Sequence, residues 1–489
     1  MSRKFFIIIQ IIFLCWGISS STAGSNRLLA MGGISLSVPD TDNQINLFQA
    51  AGNSAWLINN DSLNWMKYTT FTNNDWGDLK RYWDARENHL HYLSFSGFKH
   101  IGDNQAFFGE IKYNYDYRED VNRAIEKNPY TGDPFVLADS TSGDFEYLGP
   151  EVTVIFSHKL SSGWYWGTSF NYNINRGLKD IYTETEIISR QITASVDLVH
   201  SFSENIVLGI SVLPYHYQDI TKLVTQSDGQ YPQTFRYRGE FEFRKSTGTQ
   251  DRTAIYKGYE IRPQLAIKGE KFEGVFYAEY NYQWHELYDN PTKRLYDGYY
   301  QAQKYSVNMA FRKHLGRLNQ TSLAFSYEFE YTEDWAKEAA ADLLFYRSFN
   351  RQHRSVLGVS HRFSDIPLEG AVEIHYQSSA PDKKDYLAHL YRQGDIANLE
   401  IHTGIEYRVG NSWKLQAGYI YKGYNEDKIW NYYGDFSGSK YTGGVDWLLK
   451  NYELEVYGRY SDLKGTVSGV NTGNKRQSMD LIVQLKQYF

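Results

Sequence analysis

Charged side chains recur at every second position in several stretches of this 489-residue chain. Any chemistry it performs would have to start from that spacing. Glu110, Lys112, Asn114, Asp116 and Arg118 form one series. Glu273 and Glu279, Arg312 and His314, Glu328 and Glu330, Glu373 and His375, Glu406 and Arg408, and Glu453, Glu455 and Arg459 form others. Alternate side chains of an extended strand share a face, so each series charges one face of its strand. Such faces could line water, where mixed charges tune ion passage. Equally, the charges could pair with one another or with inserted chain; the mixed signs leave both readings open.

The residues offer little for catalysis. The 13 histidines are scattered, without a His-Glu-x-x-His motif or a cysteine pair to hold a metal. His89 and His91 share a strand face, as solvated histidines near a rim would. No Gly-x-Ser-x-Gly elbow and no phosphate-cradling glycine loop occurs. A hydrolase would need a serine or water activated by histidine and acid groups gathered at one level. Asp116, Asp219, His216 and His285 come nearest, and no spacing selects them over other charged residues. The expectation is a non-enzyme with no catalytic residue, no cofactor and no metal site.

The elements that would position these faces are long alternating runs. In 163–175, Trp164, Trp166, Phe170, Tyr172 and Ile174 alternate with polar or small residues, and 272–285, 321–331 and 452–460 repeat the pattern. These runs exceed the ~5–6 residues of a soluble strand and suit a tilted bilayer crossing of ~9–11. Gly102-Asp103, Ser161-Ser162, Ser203-Glu204, Gly269-Glu270-Lys271, Leu315-Gly316, Gly410-Asn411 and Lys450-Asn451 mark tight turns. The opposite connections, 119–145, 220–251, 334–348, 381–394 and 427–437, are longer and polar. In 220–251 the aromatic and charged residues alternate again (Phe235, Tyr237 and Phe243 with Arg236, Arg238 and Arg244), which predicts a hairpin beyond the membrane or folded over the pore. Short turns on one side and long loops on the other are the asymmetry of an outer-membrane barrel.

The pattern predicts an all-β, transmembrane, antiparallel up-and-down barrel of about 18 strands (range ~14–18), the first near 64–80. A soluble β-sandwich or β-solenoid would also alternate. Inward charges are then tolerable, whereas Arg or Lys facing lipid at the midplane costs ~2–4 kcal/mol. The candidate pore-lining residues are Glu110, Lys112, Asp116, Arg118, Glu273, Glu279, Arg312, Glu328, Glu453 and Arg459.

The ends and the composition agree. Ser2-Arg3-Lys4 precedes an apolar run from Phe5 to Ile18 and the small residues Ser19–Ala23, which predicts a cleaved secretory signal peptide over 1–23. Leu14 stands before Cys15, the one cysteine, where a lipoprotein signal needs a small residue. The formal charge of −6 becomes two units more negative without Arg3 and Lys4, which argues against nucleic acid as a partner. There are 42 Tyr, 27 Phe and 12 Trp against 10 Pro, a load suited to strands and membrane interfaces. At the other end Met479, Leu481, Val483, Leu485, Gln487 and Phe489 alternate with Asp480, Ile482, Gln484, Lys486 and Tyr488.

A last strand of this kind resembles the recognition strand of bacterial outer-membrane barrels, with Gln487 departing from the apolar pattern. That resemblance implies Phe489 as an assembly signal and the barrel-assembly machinery as a partner. Residues 24–63 form a periplasmic or lumenal leader ahead of a barrel over 64–489. Within the leader Ala51-Gly52-Asn53-Ser54-Ala55-Trp56 distantly resembles the stretch that tucks into the lumen of fatty-acid-transporter-type barrels. The leader's end (Asn60-Asp61-Ser62-Leu63-Asn64), Gly77-Asp78-Leu79-Lys80-Arg81 and the terminal Gln487-Tyr488-Phe489 resemble the uncharacterised outer-membrane barrel families of Bacteroidota. The resemblance implies an integral outer-membrane protein in contact with lipid, either a pore or transporter for small solutes or a non-catalytic accessory barrel in a TonB-dependent uptake or surface-protein secretion complex. An outer-membrane hydrolase is the third reading.

Overall fold

A computed structural model describes residues 30–34, 36–39, 45–60, 63–179, 184–223, 233–239, 242–247, 251–289, 295–316, 320–425, 435–465 and 474–489. The expected signal peptide, with Cys15, lies outside the described residues.

Alternation dictates the architecture. Eighteen antiparallel strands close into a barrel. They are β1 (Trp65–Gly77), β2 (Glu87–Ile101), β3 (Gln105–Val121), β5 (Gly143–Ser161), β6 (Trp164–Lys179), β7 (Thr185–Ser203), β8 (Ile206–Leu223), β11 (Arg252–Lys268), β12 (Phe272–Asp289), β13 (Leu295–Leu315), β14 (Thr321–Glu338), β15 (Leu343–Arg362), β16 (Leu368–Asp385), β18 (Ile396–Val409), β19 (Trp413–Asn425), β20 (Phe436–Leu449), β21 (Tyr452–Gly465) and β22 (Lys475–Tyr488). Each pairs with its sequence neighbours in this order, and β1 closes on β22 from Trp65 opposite Tyr488 to Gly77 opposite Arg476. Closure leaves no strand edge unpaired, the condition for a sheet to sit in lipid.

The outer face is apolar. Ile111, Val196, Val307, Leu357 and Ile405 are among its most exposed large side chains. Outward tyrosines Tyr259, Tyr280, Tyr305 and Tyr331 touch in sequence across β11–β14 toward the long-loop end. Trp413 stacks on Trp447 at the short-turn end. An apolar band between aromatic girdles is the surface a bilayer solvates.

Two polar-looking segments fold otherwise than their composition suggests. Over 334–348, β14 continues to Glu338 and β15 begins at Leu343, leaving a tight turn, with Ala336 and Phe345 buried. Over 381–394, β16 runs to Asp385 and a short β17 (Leu390–Gln393) pairs back onto it. Beyond the bilayer the outer face meets water, so a strand continues without apolar residues outside. Two of the other three long loops, 119–145 and 220–251, build a small separate sheet: β4 (Phe135–Asp139) pairs with β9 (Gln233–Arg238), which forms a hairpin with β10 (Phe243–Thr247). Most of the fifth, 427–437, lies outside the described residues.

Candidate functional site: an occupied lumen

The inward face is polar on every side, and chain fills it from both ends. From the short-turn end, the described leader residues (30–34, 36–39 and 45–60) lie against the inner wall. The leader holds one helical turn, α1 (Leu47–Ala51), capped by the Asn46 side chain, and a 3-10 helix (Ser54–Asn59) capped by Asn53. Polar wall residues tie it down. Asp197 accepts from the Ser54 amide at 2.9 Å and from its hydroxyl. Gln264 accepts from the Asn53 amide group at 2.8 Å, and Ser157 donates to the Ala55 carbonyl at 2.6 Å. Arg262 donates to the Ala51 carbonyl at 2.5 Å, and Arg312 donates to the Val38 carbonyl at 3.1 Å. Thr442 accepts from the Gly32 amide at 3.0 Å.

Glycines make room for this contact. A Cβ on Gly167 would lie 2.4 Å from the Ala55 nitrogen, and one on Gly418 would lie 2.0 Å from the Gly32 nitrogen. Both strands are therefore shaped to the leader backbone.

From the long-loop end, the segment before β4 turns inward. Phe135 is buried against Phe345 and edge-on to His285. Asp133 takes a hydrogen bond from Tyr256 at 3.1 Å and lies 2.8 Å from His285. Asp139 meets Lys179 at 2.5 Å with both side chains wholly buried. A rim acid holds the neighbouring hairpin: Asp297 pairs with Arg238 of β9 at 2.5 Å and with Arg252 of β11 at 2.9 Å.

The charged series fall on this inner wall, distributed around the barrel and mostly paired. Lys112 meets Glu151 at 3.0 Å, and Arg118 meets Asp116 at 2.7 Å. Arg312 donates to Glu273 at 2.6 Å, and Lys304 meets Glu279 at 2.6 Å. Arg354 meets Glu328 at 3.1 Å, Arg459 meets Asp480, and Tyr488 donates to Glu453 at 2.5 Å. Glu110 is half-buried on the same face. Phe489 is exposed, and its amide donates to the Asn64 carbonyl at 3.0 Å. The four residues weighed for hydrolysis do not form one site. His216 lies on the outer face, Asp116 is bound to Arg118, Asp219 accepts from Tyr217 and His285 packs on Tyr256. His89 and His91 face outward beside Tyr117 and Tyr115.

One constellation escaped the sequence reading, which took Glu373 and His375 only as one charged pair among many. The tripeptide Glu-Ile-His occurs twice, at 373–375 on β16 and 400–402 on β18. These strands are antiparallel neighbours, in a register that sets Glu373 opposite His402 and His375 opposite Glu400. The result is a two-by-two checkerboard of acids and imidazoles. His375 hydrogen-bonds Glu373 at 2.9 Å, and His402 hydrogen-bonds Glu400 at 2.6 Å. The two rings stack with centroids 4.0 Å apart. The other Glu373 oxygen accepts from the Leu36 and Ser37 amides, each at 2.8 Å, and from the Ser37 hydroxyl at 2.9 Å. The repeat of the tripeptide was the available signal; its meaning appears only with the register.

A family model described as "Family of unknown function (DUF6850)" matches residues 55–387. No curated protein matches the chain. Among solved structures the chain is similar to the Pseudomonas putida toluene transporter TodX, with 13% identity, 94% of this chain and 97% of that one covered, and a TM-score of 0.35. It is also similar to the siderophore receptor PiuA from Acinetobacter baumannii (8% identity, 87% and 82% covered, TM-score 0.46). The third is Acinetobacter baumannii OccAB3 (12%, 88% and 100%, TM-score 0.42).

Proposed function

The chain belongs to the family of unknown function DUF6850, and from its own lumen we propose a non-catalytic outer-membrane transport barrel for small solutes, closed at rest by its leader and by an inward-folded loop. The observation that carries this reading is the nature of the leader's attachment. Asp197, Gln264, Arg262, Arg312 and Thr442 hold it by hydrogen bonds to a polar wall. Water can replace each such bond, so each contributes only ~0.5–1.5 kcal/mol, or ~1.5–3 where a charge takes part. A plug held this way can leave a wall that stays satisfied when hydrated. Beneath it the inner charges, from Lys112 and Glu151 to Arg459 and Asp480, would line the passage. The short-turn end, where the leader enters and Phe489 closes the last strand, is periplasmic in this reading, and Phe489 is the contact for the assembly machinery.

The tied-down lumen also favours a second reading, a closed accessory barrel that serves an uptake or secretion partner. The two readings differ in whether a conducting state exists, and planar-bilayer conductance of the purified protein separates them. The double variant Gly167→Ala, Asp197→Ala places a methyl group against the 3-10 helix and removes its anchoring acid. The wild type is expected to be silent and the variant to open in stable ohmic steps. A variant that inserts, shown by heat-modifiable gel mobility, yet stays silent would overturn the transport reading and leave the accessory one.

A further inference from the structure

We propose that the paired Glu-Ile-His tripeptides form a binding site for one divalent transition-metal ion of the zinc or cobalt class, on the inner wall where the leader docks. The inference goes beyond the transport reading and does not depend on it.

The donor set is of the right kind. One donor atom on each of Glu373, His375 and His402 lies within 4.8 Å of the other two. Two imidazoles and a carboxylate suit a borderline divalent ion at ~2.0–2.2 Å. Ligands around such an ion sit somewhat closer than 4.8 Å, and side-chain torsions of Glu373 and His375 can supply the contraction. His375 is a quarter exposed toward the lumen while Glu373 is wholly buried, so an ion would enter past His375.

The second observation lies in His402. Its side chain is 8% exposed, and its Nδ1 meets no hydrogen-bonding partner among the described residues. Its Nε2 is held by Glu400, which Lys422 pairs with at 3.3 Å and to which Tyr424 also donates. A carboxylate so held accepts, so the imidazole proton belongs on Nε2 and the Nδ1 lone pair is left for a metal. A carboxylate behind a ligating histidine, fixing its tautomer and orientation, is the arrangement of a metal's outer shell. Gly33 of the leader lies beside that nitrogen: a Cβ there would stand 3.3 Å from Nδ1, so any larger residue would crowd it.

The site would also fasten the plug. Glu373 offers one oxygen to His375 and the other to the leader at Leu36 and Ser37. An ion taking the first oxygen in place of the His375 hydrogen bond leaves the second to hold the leader.

The test uses the full-length protein without a histidine tag, purified in detergent, stripped with chelator and titrated with Co2+. We expect one ion per chain, a visible ligand-field spectrum, two imidazoles counted by X-ray absorption, and slower amide exchange at 30–38. His402→Ala should abolish the spectrum. Glu400→Gln, a change to a positioning residue, should weaken binding about 10–100-fold. His89→Ala, which removes the ligand shared by the outward Glu87, His89 and Glu119 group, should change nothing. Absence of stoichiometric binding, loss with His89→Ala in place of His402→Ala, or fewer than two imidazoles would each overturn the proposal. Should His402→Ala fail to assemble, the imidazole count on the wild type decides by itself. Failure here leaves the conductance test untouched, because that test needs no metal.

Discussion

Lys179 and Asp139 are both wholly inaccessible and 2.5 Å apart, so neither tolerates the loss of the other. Lys179→Met would leave a buried carboxylate held only by Thr141, at a cost of about 3–5 kcal/mol. The cost falls on the inward position of the β4 segment, because water rescues Asp139 once that segment swings out. Limited proteolysis should therefore cut 122–142 in Lys179→Met and spare the strands, and adding Asp139→Asn should recover most of the protection. Unchanged cleavage would mean the pair does not hold the segment. Neither residue drew attention in the sequence, because Lys179 ends a strand and Asp139 ends a short one inside the long 119–145 connection, forty positions away. The inward acids and bases were legible because a period of two needs no partner to be seen. Their pairing was not, because it depends on register. The twin Glu-Ile-His tripeptides show the same limit: the repeat is plain, but Glu373 meets His402 only once β16 and β18 are aligned.

The loop between β3 and β4 carries two buried groups that titrate in the same range. Burial, with Asp133 beside it, pushes Glu126 up to about 8 against the pull of Arg252 and the Leu137 amide. Burial, with Arg118 adding, brings Lys127 down to about 8 against Asp116. In an open, hydrated loop these groups would titrate near their ordinary values of 4.5 and 10.5. Between those lower and middle values the closed loop holds the Glu126 proton that the open one has lost, so closure weakens as pH rises to about 8. Above that, the closed loop gives up the Lys127 proton that the open one keeps, so closure strengthens again. Hydrogen exchange over 124–138, corrected for intrinsic rates, should show opening most frequent near pH 8 and rarer on either side. A monotonic profile would remove one of the two groups from the account. That this loop folds inward was not legible in its polar composition. Its apolar Phe135, Val136 and Leu137 signal a strand, but not which sheet receives it.

At the scale of the whole molecule, alternation determines both what is inside and what is outside, and the outside can be tested most sharply. A closed barrel in water and one in lipid share the same hydrogen bonds and differ in the solvent of the outer face. On β15 the outward positions run His353, Ser355, Leu357, Val359 and His361. His353 packs on Phe329, and His361 packs on Phe363, so polar-tipped rings stand at both ends of the run. Leu357 lies midway, 61% exposed, opposite Phe325 of β14. If hydrocarbon surrounds the barrel, Leu357→Arg puts a charge near the midplane at a cost of ~2–4 kcal/mol, falling to ~0–1 at the interfaces. His361→Arg, at the edge of the same strand face, is the matched control. Reversible unfolding from lipid vesicles should therefore show Leu357→Arg well below the wild type and His361→Arg close to it. A barrel solvated by water would give the reverse expectation, since an exposed leucine exchanged for arginine is neutral or favourable there. Equal stabilities for all three proteins would contradict a membrane setting whatever the strand count, because only lipid makes the outer face of the barrel sensitive to depth.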